Sequence, residues 1–361
     1  MKKISSKVVA FFSILCMSFG AFATSKTIAH SEVASIDKHG NVNLAIKASS
    51  FQTKGFSVTD VVSVKVDSFK VTAPIVKDYS DVDNGAFLVR MNGEEVSLAM
   101  NMGNFAKTSG CKVGSKVTVE LKEHYGYLST FHLRLLKKDD ERKHFTSDQV
   151  FANFRAVKAG KIAENRLYRT SSPIVNEVRA PYAAELLEEA GVNLVLNLAD
   201  SEESAKEMME SSPYYKKLAE ENKVIFLNMG SDFSSHEDTT GLKNTLIFIA
   251  EHPGCVYGVH GKEGKTRTGY VCAILEALNG ATLEEITQDY MTSFENYYNV
   301  QKNRAQYDEI SKSVKYMFSN TTKNGKAPTN KNLQSAVENY LVKTVGLTEA
   351  QVQAVKDNLQ K

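Results

Sequence analysis

Three cations crowd one glycine-punctuated stretch of the chain, Val256-Tyr257-Gly258-Val259-His260-Gly261-Lys262-Glu263-Gly264-Lys265-Thr266-Arg267-Thr268-Gly269. An apolar strand pattern enters it. A helical pattern leaves it, with Val271, Ile274, Leu275 and Leu278 on one face before Gly280. A strand that passes through a tight turn into a helix aims successive backbone N–H groups into one concavity, and the helix dipole adds positive potential there. Arg267 adds a planar fork that fits an oxyanion. The chemistry such a segment supports is the cradling of a phosphate. An ordinary glycine-rich turn has no need of Lys262, Lys265 and Arg267 together. A nucleotide-type loop needs Gly, four residues and then Gly-Lys-Ser/Thr. Counting back from Gly264-Lys265-Thr266 puts Val259 where that first Gly is required, so this alternative fails.

The elements that must hold the loop are legible on either side. Residues 192–198 and 224–229 are continuous apolar runs of strand length, and residues 180–190 read as a helix closed by Gly191 at C′. Strands alternating with helices predict an α/β fold, a parallel sheet covered on both faces. Upstream, from about residue 31 to 136, the pattern is different. Val62, Val64 and Val66 alternate, as do Val96, Leu98 and Met100, and Val117, Val119 and Leu121. The turns between them are His39-Gly40-Asn41, Asp83-Asn84-Gly85, Asn92-Gly93 and Val113-Gly114-Ser115. This region is expected to be a small all-β barrel or sandwich. The charged stretch 137–143 reads as a solvated linker, 319–330 as a polar one, and Thr348-Glu349-Ala350-Gln351 as a capping box that opens a last helix with Val352, Val355 and Leu359 on one face.

The loop segment resembles the signature of the cysteine-dependent protein tyrosine phosphatases, His-Cys, five residues, Arg-Thr/Ser. His260, then Lys262, Glu263, Gly264, Lys265 and Thr266, then Arg267 and Thr268 keep every spacing. The nucleophile's place is held by Gly261. Ala152-Asn153-Phe154-Arg155, Leu167-Tyr168-Arg169-Thr170-Ser171-Ser172-Pro173 and Leu196-Asn197-Leu198-Ala199-Asp200 extend the likeness to bacterial exported tyrosine or dual-specificity phosphatases, over roughly residues 148–298. The resemblance implies a phosphatase-like sheet over 141–318 and phosphate binding by Gly261, Lys262, Glu263, Gly264, Lys265, Thr266 and Arg267. It implies a general acid upstream of the loop, for which Asp232 is the first candidate and Asp238 the second, with a turn or cap as the alternative role for Asp232. Relatives often carry Asp at the position of Thr266. Without a thiol at 261 no phosphocysteine forms. Cys255 reads as lying too far down the strand to replace it, and Cys272 as a buried core thiol.

In the first region Ile36-Asp37-Lys38-His39-Gly40-Asn41-Val42, residues 79–85, residues 98–106 and Lys112-Val113-Gly114-Ser115-Lys116-Val117 resemble the C-terminal barrel of S-adenosylmethionine hydroxide adenosyltransferases. That resemblance implies a barrel over 24–140 but not adenosyl transfer, which needs a further domain. The Asp and Asn residues there have turn formation as their simpler role.

The remaining features bound the setting. Lys2, Lys3 and Lys7 precede an uncharged run over 8–23 ending Ala21-Phe22-Ala23, the pattern of a cleaved export signal over 1–23. That run falls short of the ~20 residues of a membrane span, and Leu15 before Cys16 argues against a lipid attachment site. The mature chain is expected to be periplasmic or secreted, with no membrane span. Export removes Cys16 and leaves Cys111, Cys255 and Cys272, an odd number. No His/Cys cluster calls for a metal, and no cofactor is expected. The 361 residues carry 44 Lys+Arg against 42 Asp+Glu, a balance that excludes the basic footprint of nucleic-acid binders. The expected partner is a phosphorylated protein or a small phosphomonoester. Three functions stay open: a phosphate-binding protein with impaired or absent hydrolysis, an active phosphatase in a Cys-containing form, and a non-catalytic exported scaffold with 319–361 as a helical tail.

Overall fold

In the computed structural model, residues 27–230, 233, 235–322 and 327–361 are described. The export-signal pattern over 1–23 and the candidate acid Asp232 lie outside them. The described residues form two compact units, 27–136 and 137–361.

The first unit is a closed barrel of seven strands: β1 (Ile28–Ile36), β2 (Val42–Leu44), β3 (Val61–Val66), β4 (Phe69–Val76), β5 (Phe87–Asn92), β6 (Glu95–Met100) and β7 (Lys116–Glu123). They follow the order β1-β2-β6-β5-β4-β3-β7, and β7 returns to β1 with Ser31 opposite Val117. Closure removes the open sheet edges, and only β4 and β5 run parallel. The alternating valines of β3 and β7 point into a core with Phe51, Phe56 and Phe105. Phe69, Phe87 and Phe105 meet at ring separations of 5.8 Å, two of the three pairs edge to face.

The second unit carries a five-stranded sheet of β8 (Arg155–Ala156), β9 (Leu167–Thr170), β10 (Leu194–Asn197), β11 (Val224–Phe226) and β12 (Tyr257–His260), in the order β11-β10-β12-β9-β8. Four of these strands are parallel and β8 joins β9 antiparallel. The α/β expectation is met, and the reason is visible in burial. β9, β10 and β12 are buried at every residue, as strands covered on both faces must be. Gly258 is required for that cover, since a Cβ there would stand 2.7 Å from Val192 Cγ1. The helix Ala180–Glu189 ends as its sequence indicates, with Gly191 at φ +65° and its amide on Glu188 O. The last helix, Glu349–Gln360, opens on the Thr348/Gln351 box and buries Val352, Val355 and Leu359.

The stretch 137–143 is not simply a solvated linker. Arg179, 1% exposed, donates to Asp139 O and Asp140 Oδ1, and its guanidinium lies 3.9 Å from the Tyr297 ring centroid. Lys138 pairs with Glu177 at 3.0 Å. The charges of the stretch are thus docked by an arginine distant in sequence. No helix among the described residues is long and apolar enough to cross a membrane.

Candidate functional site

The central strand β12 delivers the loop. In the sheet register His260 stands between Asn197 of β10 and Thr170 of β9, so three strands end together at the point where the chain turns. The turn runs from Gly261 to Lys265 and enters the helix Thr266–Leu278, which is buried from Thr268 to its end. Gly264 sits at φ +66°, and a Cβ on it would fall 2.2 Å from Thr170 O. Only glycine brings the loop this close to β9.

What fixes the loop is the capture of its carbonyls. His260 takes Gly261 O through Nδ1 at 3.3 Å, and the Ser172 amide takes Lys262 O at 3.0 Å. Asn153 Nδ2 donates to Glu263 O at 3.0 Å. Arg169 Nη2 donates to Gly264 O at 2.9 Å, where Ser293 Oγ joins it at 3.3 Å. In a trans peptide the C=O of one residue and the N–H of the next point in opposite directions. With four carbonyls drawn into the scaffold, the amides of Lys262, Glu263, Gly264 and Lys265 face the other way. Among the described residues none of these four amides has an acceptor. They line a cavity of about 220 Å³ formed by Gly261 through Thr268, at the N-terminus of a 13-residue helix.

His260 does its part as a neutral ring. Tyr215 accepts from Asn197 Nδ2 at 3.1 Å and, with its hydroxyl proton, donates to His260 Nε2 at 2.8 Å, which leaves the proton on Nδ1 for Gly261 O. Burial, with Arg267 nearby, pushes the His260 pKa down to about 4.

Arg267 is half-buried and uses one edge on the protein. Its Nη1 donates to Met229 O at 3.0 Å, whereas its Nε and Nη2 have no acceptor among the described residues. Its Nε lies 3.8 Å from the point a Cβ on Gly261 would occupy. Burial lowers its pKa and Asp200 and Asp238 oppose this, so the guanidinium stays charged. The loop lysines are spent elsewhere. Lys262 pairs with Glu177 at 3.2 Å, and Lys265 with Glu263 at 2.9 Å and the Tyr298 hydroxyl at 2.8 Å. Arg267 is therefore the loop cation that keeps donors turned to the cavity. Asp238, the second acid candidate, is 1% exposed and accepts the Gly230 amide from the third position of the helix His236–Glu251, whose N-cap is Ser235. It acts as a tie. Cys255 lies two residues before β12, and Cys272 is fully buried with its thiol pushed up to about 12 by burial. Thr266, at the first turn of the helix, is exposed.

Beneath the loop lies a charged cluster that sequence reasoning did not single out. Asp289 receives Arg155 Nε at 2.7 Å and Arg169 Nη1, and Arg155 Nη1 holds Asn153 Oδ1 at 2.7 Å. Burial works against the Asp289 charge, but the two arginines hold its carboxyl well below the usual range. Glu276, buried beside Asp289, is driven the other way, its carboxyl pushed well above the usual range by burial and by that neighbouring charge. Arg155, Arg169 and Asp289 thus underlie the loop. The available signal was Asp289 and Ser293, four residues apart on the helix Leu283–Tyr298, with Ser293 buried on its apolar side.

Residues 151–361 match the tyrosine phosphatase family. The chain belongs to that family. The fold and the strand-loop-helix arrangement described above are those of a tyrosine-phosphatase-like α/β unit in the chain's second part. Residues 31–118 match the S-adenosylmethionine hydroxide adenosyltransferase C-terminal domain, in agreement with the closed barrel. No curated protein matches the chain. Two solved structures align with parts of it. One is an uncharacterised conserved protein from Thermotoga maritima, at 26% identity and TM-score 0.25, covering 28% of this chain and 40% of that one. The other is a conserved hypothetical protein from Thermus thermophilus, at 22% identity and TM-score 0.20, covering 26% of this chain and 34% of that one.

Proposed function

We propose that this tyrosine-phosphatase-family protein binds a phosphomonoester of the phosphotyrosine type at residues 260–267 and, with Gly261 at the nucleophile's place, does not hydrolyse it at an enzymic rate. The observation that carries the reading is the set of four carbonyls held inward and four amides left without acceptors, next to the open edge of Arg267. Several amides that share one concavity at a helix N-terminus without protein acceptors suit the binding of an anion. An oxyanion on these amides also takes the two free donors of Arg267. A thiolate at 261 would have placed a negative charge under that anion, and glycine does not.

Isothermal titration of the purified protein with a phosphotyrosine peptide, and separately with inorganic phosphate, tests the reading. Heat that saturates below millimolar ligand, and that Arg267→Ala abolishes, is the expected result. Absence of heat at millimolar ligand with both would overturn it. The chain is further proposed to be exported through residues 1–23. Expression in a bacterial host followed by mass determination of the periplasmic protein should find a chain beginning at Thr24, and an intact Met1 terminus retained inside the cell would refute this.

A further inference from the structure

The free edge of the α/β sheet meets a second cavity near the phosphate loop. β11 stands at the end of the order β11-β10-β12-β9-β8, so one of its sides has no neighbouring strand. The ladder on the other side shows which main-chain groups face outward. The Val195 amide donates to Lys223 O at 2.8 Å and the Leu227 amide to Asn197 O at 3.0 Å. Residues 223, 225 and 227 therefore turn their main-chain groups to β10, and Val224 and Phe226 turn theirs away from the sheet. Among the described residues these outward groups meet no partner. Beside them a cavity of about 560 Å³ has Phe226 and Leu227 on one side and His236, Glu237, Thr240 and Asn244 of the helix His236–Glu251 on the other. Glu237 is exposed there, and no Lys or Arg among the described residues lines the cavity with it. The phosphate loop is close. Phe226 and His260 stand opposite Asn197 on its two sides, so two strand spacings, about 10 Å, separate them. Gly241, in the cavity wall, is pressed against Met229, where a Cβ would fall 2.6 Å from Met229 Cγ, and Met229 O is the acceptor of Arg267 Nη1.

We infer that β11 and this cavity receive the chain that flanks a phosphotyrosine: an extended peptide pairs with Phe226 as an added strand and sets a basic side chain, about three residues from the phosphotyrosine, beside Glu237. The inference rests on the proposed anion site, which holds the phosphate end of the same ligand. An open sheet edge binds an extended peptide through its main chain, and a pocket next to the edge selects a side chain. Both parts are present here. Three extended residues span about 10 Å, the separation of Phe226 from His260. The unpaired carboxylate of Glu237 selects a cation in that pocket and disfavours an anion. A small phosphomonoester uses neither the edge nor the pocket, so the ligand is a peptide.

The test titrates the full chain by calorimetry with inorganic phosphate and with two phosphotyrosine peptides that differ only in carrying Arg or Glu three residues to either side of the phosphotyrosine. The Arg peptide is expected to bind at least about threefold more tightly than the Glu peptide, and Glu237→Gln should bring the two affinities together. Methylating the flanking amides of the Arg peptide should weaken it by about threefold or more, because the added strand loses its donors. Heat with phosphate but equal affinity for the two peptides overturns the inference and leaves the anion site standing. A preference for Arg that survives in Glu237→Gln also overturns it, since the basic side chain would then lie elsewhere. Full affinity of the methylated peptide overturns the pairing with β11. No heat with phosphate or with either peptide overturns the anion site and this inference together.

Discussion

The barrel and the α/β unit both tie down main chain with polar side chains, and they do so in opposite ways. In the barrel, Asp60 is fully buried and satisfied by its surroundings: it accepts the Ser57 amide at 2.8 Å, the Tyr125 amide at 2.9 Å and His124 Nδ1 at 3.2 Å. Asp37 does the same on a smaller scale, closing its turn by accepting from the His39 and Asn41 amides. These carboxylates consume main-chain donors. In the α/β unit, Arg169, Asn153, Ser293 and His260 consume main-chain acceptors instead, all on one loop, and so leave its donors free. A buried polar group that ends a turn accounts for itself locally. One that fixes the carbonyl side of a loop points to a ligand on the amide side.

The contrast is sharpened most by restoring the nucleophile. Gly261→Cys puts a thiol beside Thr268 Oγ1 and Arg267 with no backbone penalty, and 4-nitrophenyl phosphate hydrolysis is expected to rise by about 10³-fold or more over the parent chain. Comparable turnover by the two chains would place the chemistry away from 261. The scaffold under the loop gives the next largest effect. Asp289→Asn leaves Arg155 and Arg169 buried without their anion, which costs about 3–5 kcal/mol and should lower the denaturant midpoint of the α/β unit while the barrel transition stays in place. Glu276→Gln is the control, because burial and Asp289 push the Glu276 carboxyl well above its usual range and so favour its neutral form; its cost is expected to be about 1 kcal/mol or less. Equal losses in the two variants would mean that Asp289 does not carry the charge assigned to it.

Much of this arrangement was legible because it is local. Period-two valines mark β3 and β7, continuous apolar runs mark β10 and β11, and the glycines and cations of 261–267 mark the loop. The motifs around Asn153, Arg169 and Asn197 were legible as likeness to a family, but not as the clamps on the loop that they are. The reason is distance along the chain. Asn153 meets Glu263 O across 110 residues, and Arg169 meets Asp289 across 120. No periodicity within one helix says which buried charge on another it will face. The same holds for Lys262 and Lys265, whose pairing with Glu177, and with Glu263 and Tyr298, is set by the fold. Stretch 137–143 looks solvated by composition until Arg179 is brought against it by the fold.

The smallest predicted effect tests whether acid reaches the two units differently. His260 is buried as a neutral ring with its pKa lowered from 6.5 to about 4, whereas none of the barrel histidines is buried. Between those two values the unfolded chain binds a proton at this position that the folded chain refuses. Stability is therefore complete above about pH 6.5 and is lost as the pH falls toward 4, by roughly 2 kcal/mol at pH 5. Urea unfolding at pH 7 and pH 5 should lower the midpoint of the α/β transition by the larger amount, and His260→Gln should reduce that gap. A charged His260 still reaches Gly261 O through Nδ1–H, and the Tyr215 hydroxyl oxygen can turn to accept from Nε2–H. The cost of the proton is the burial of its charge, and the α/β unit should lose stability over this pH range before the barrel does. A barrel that loses stability first on acidification would contradict this, and would mean that the buried His260 does not set the acid response of the chain.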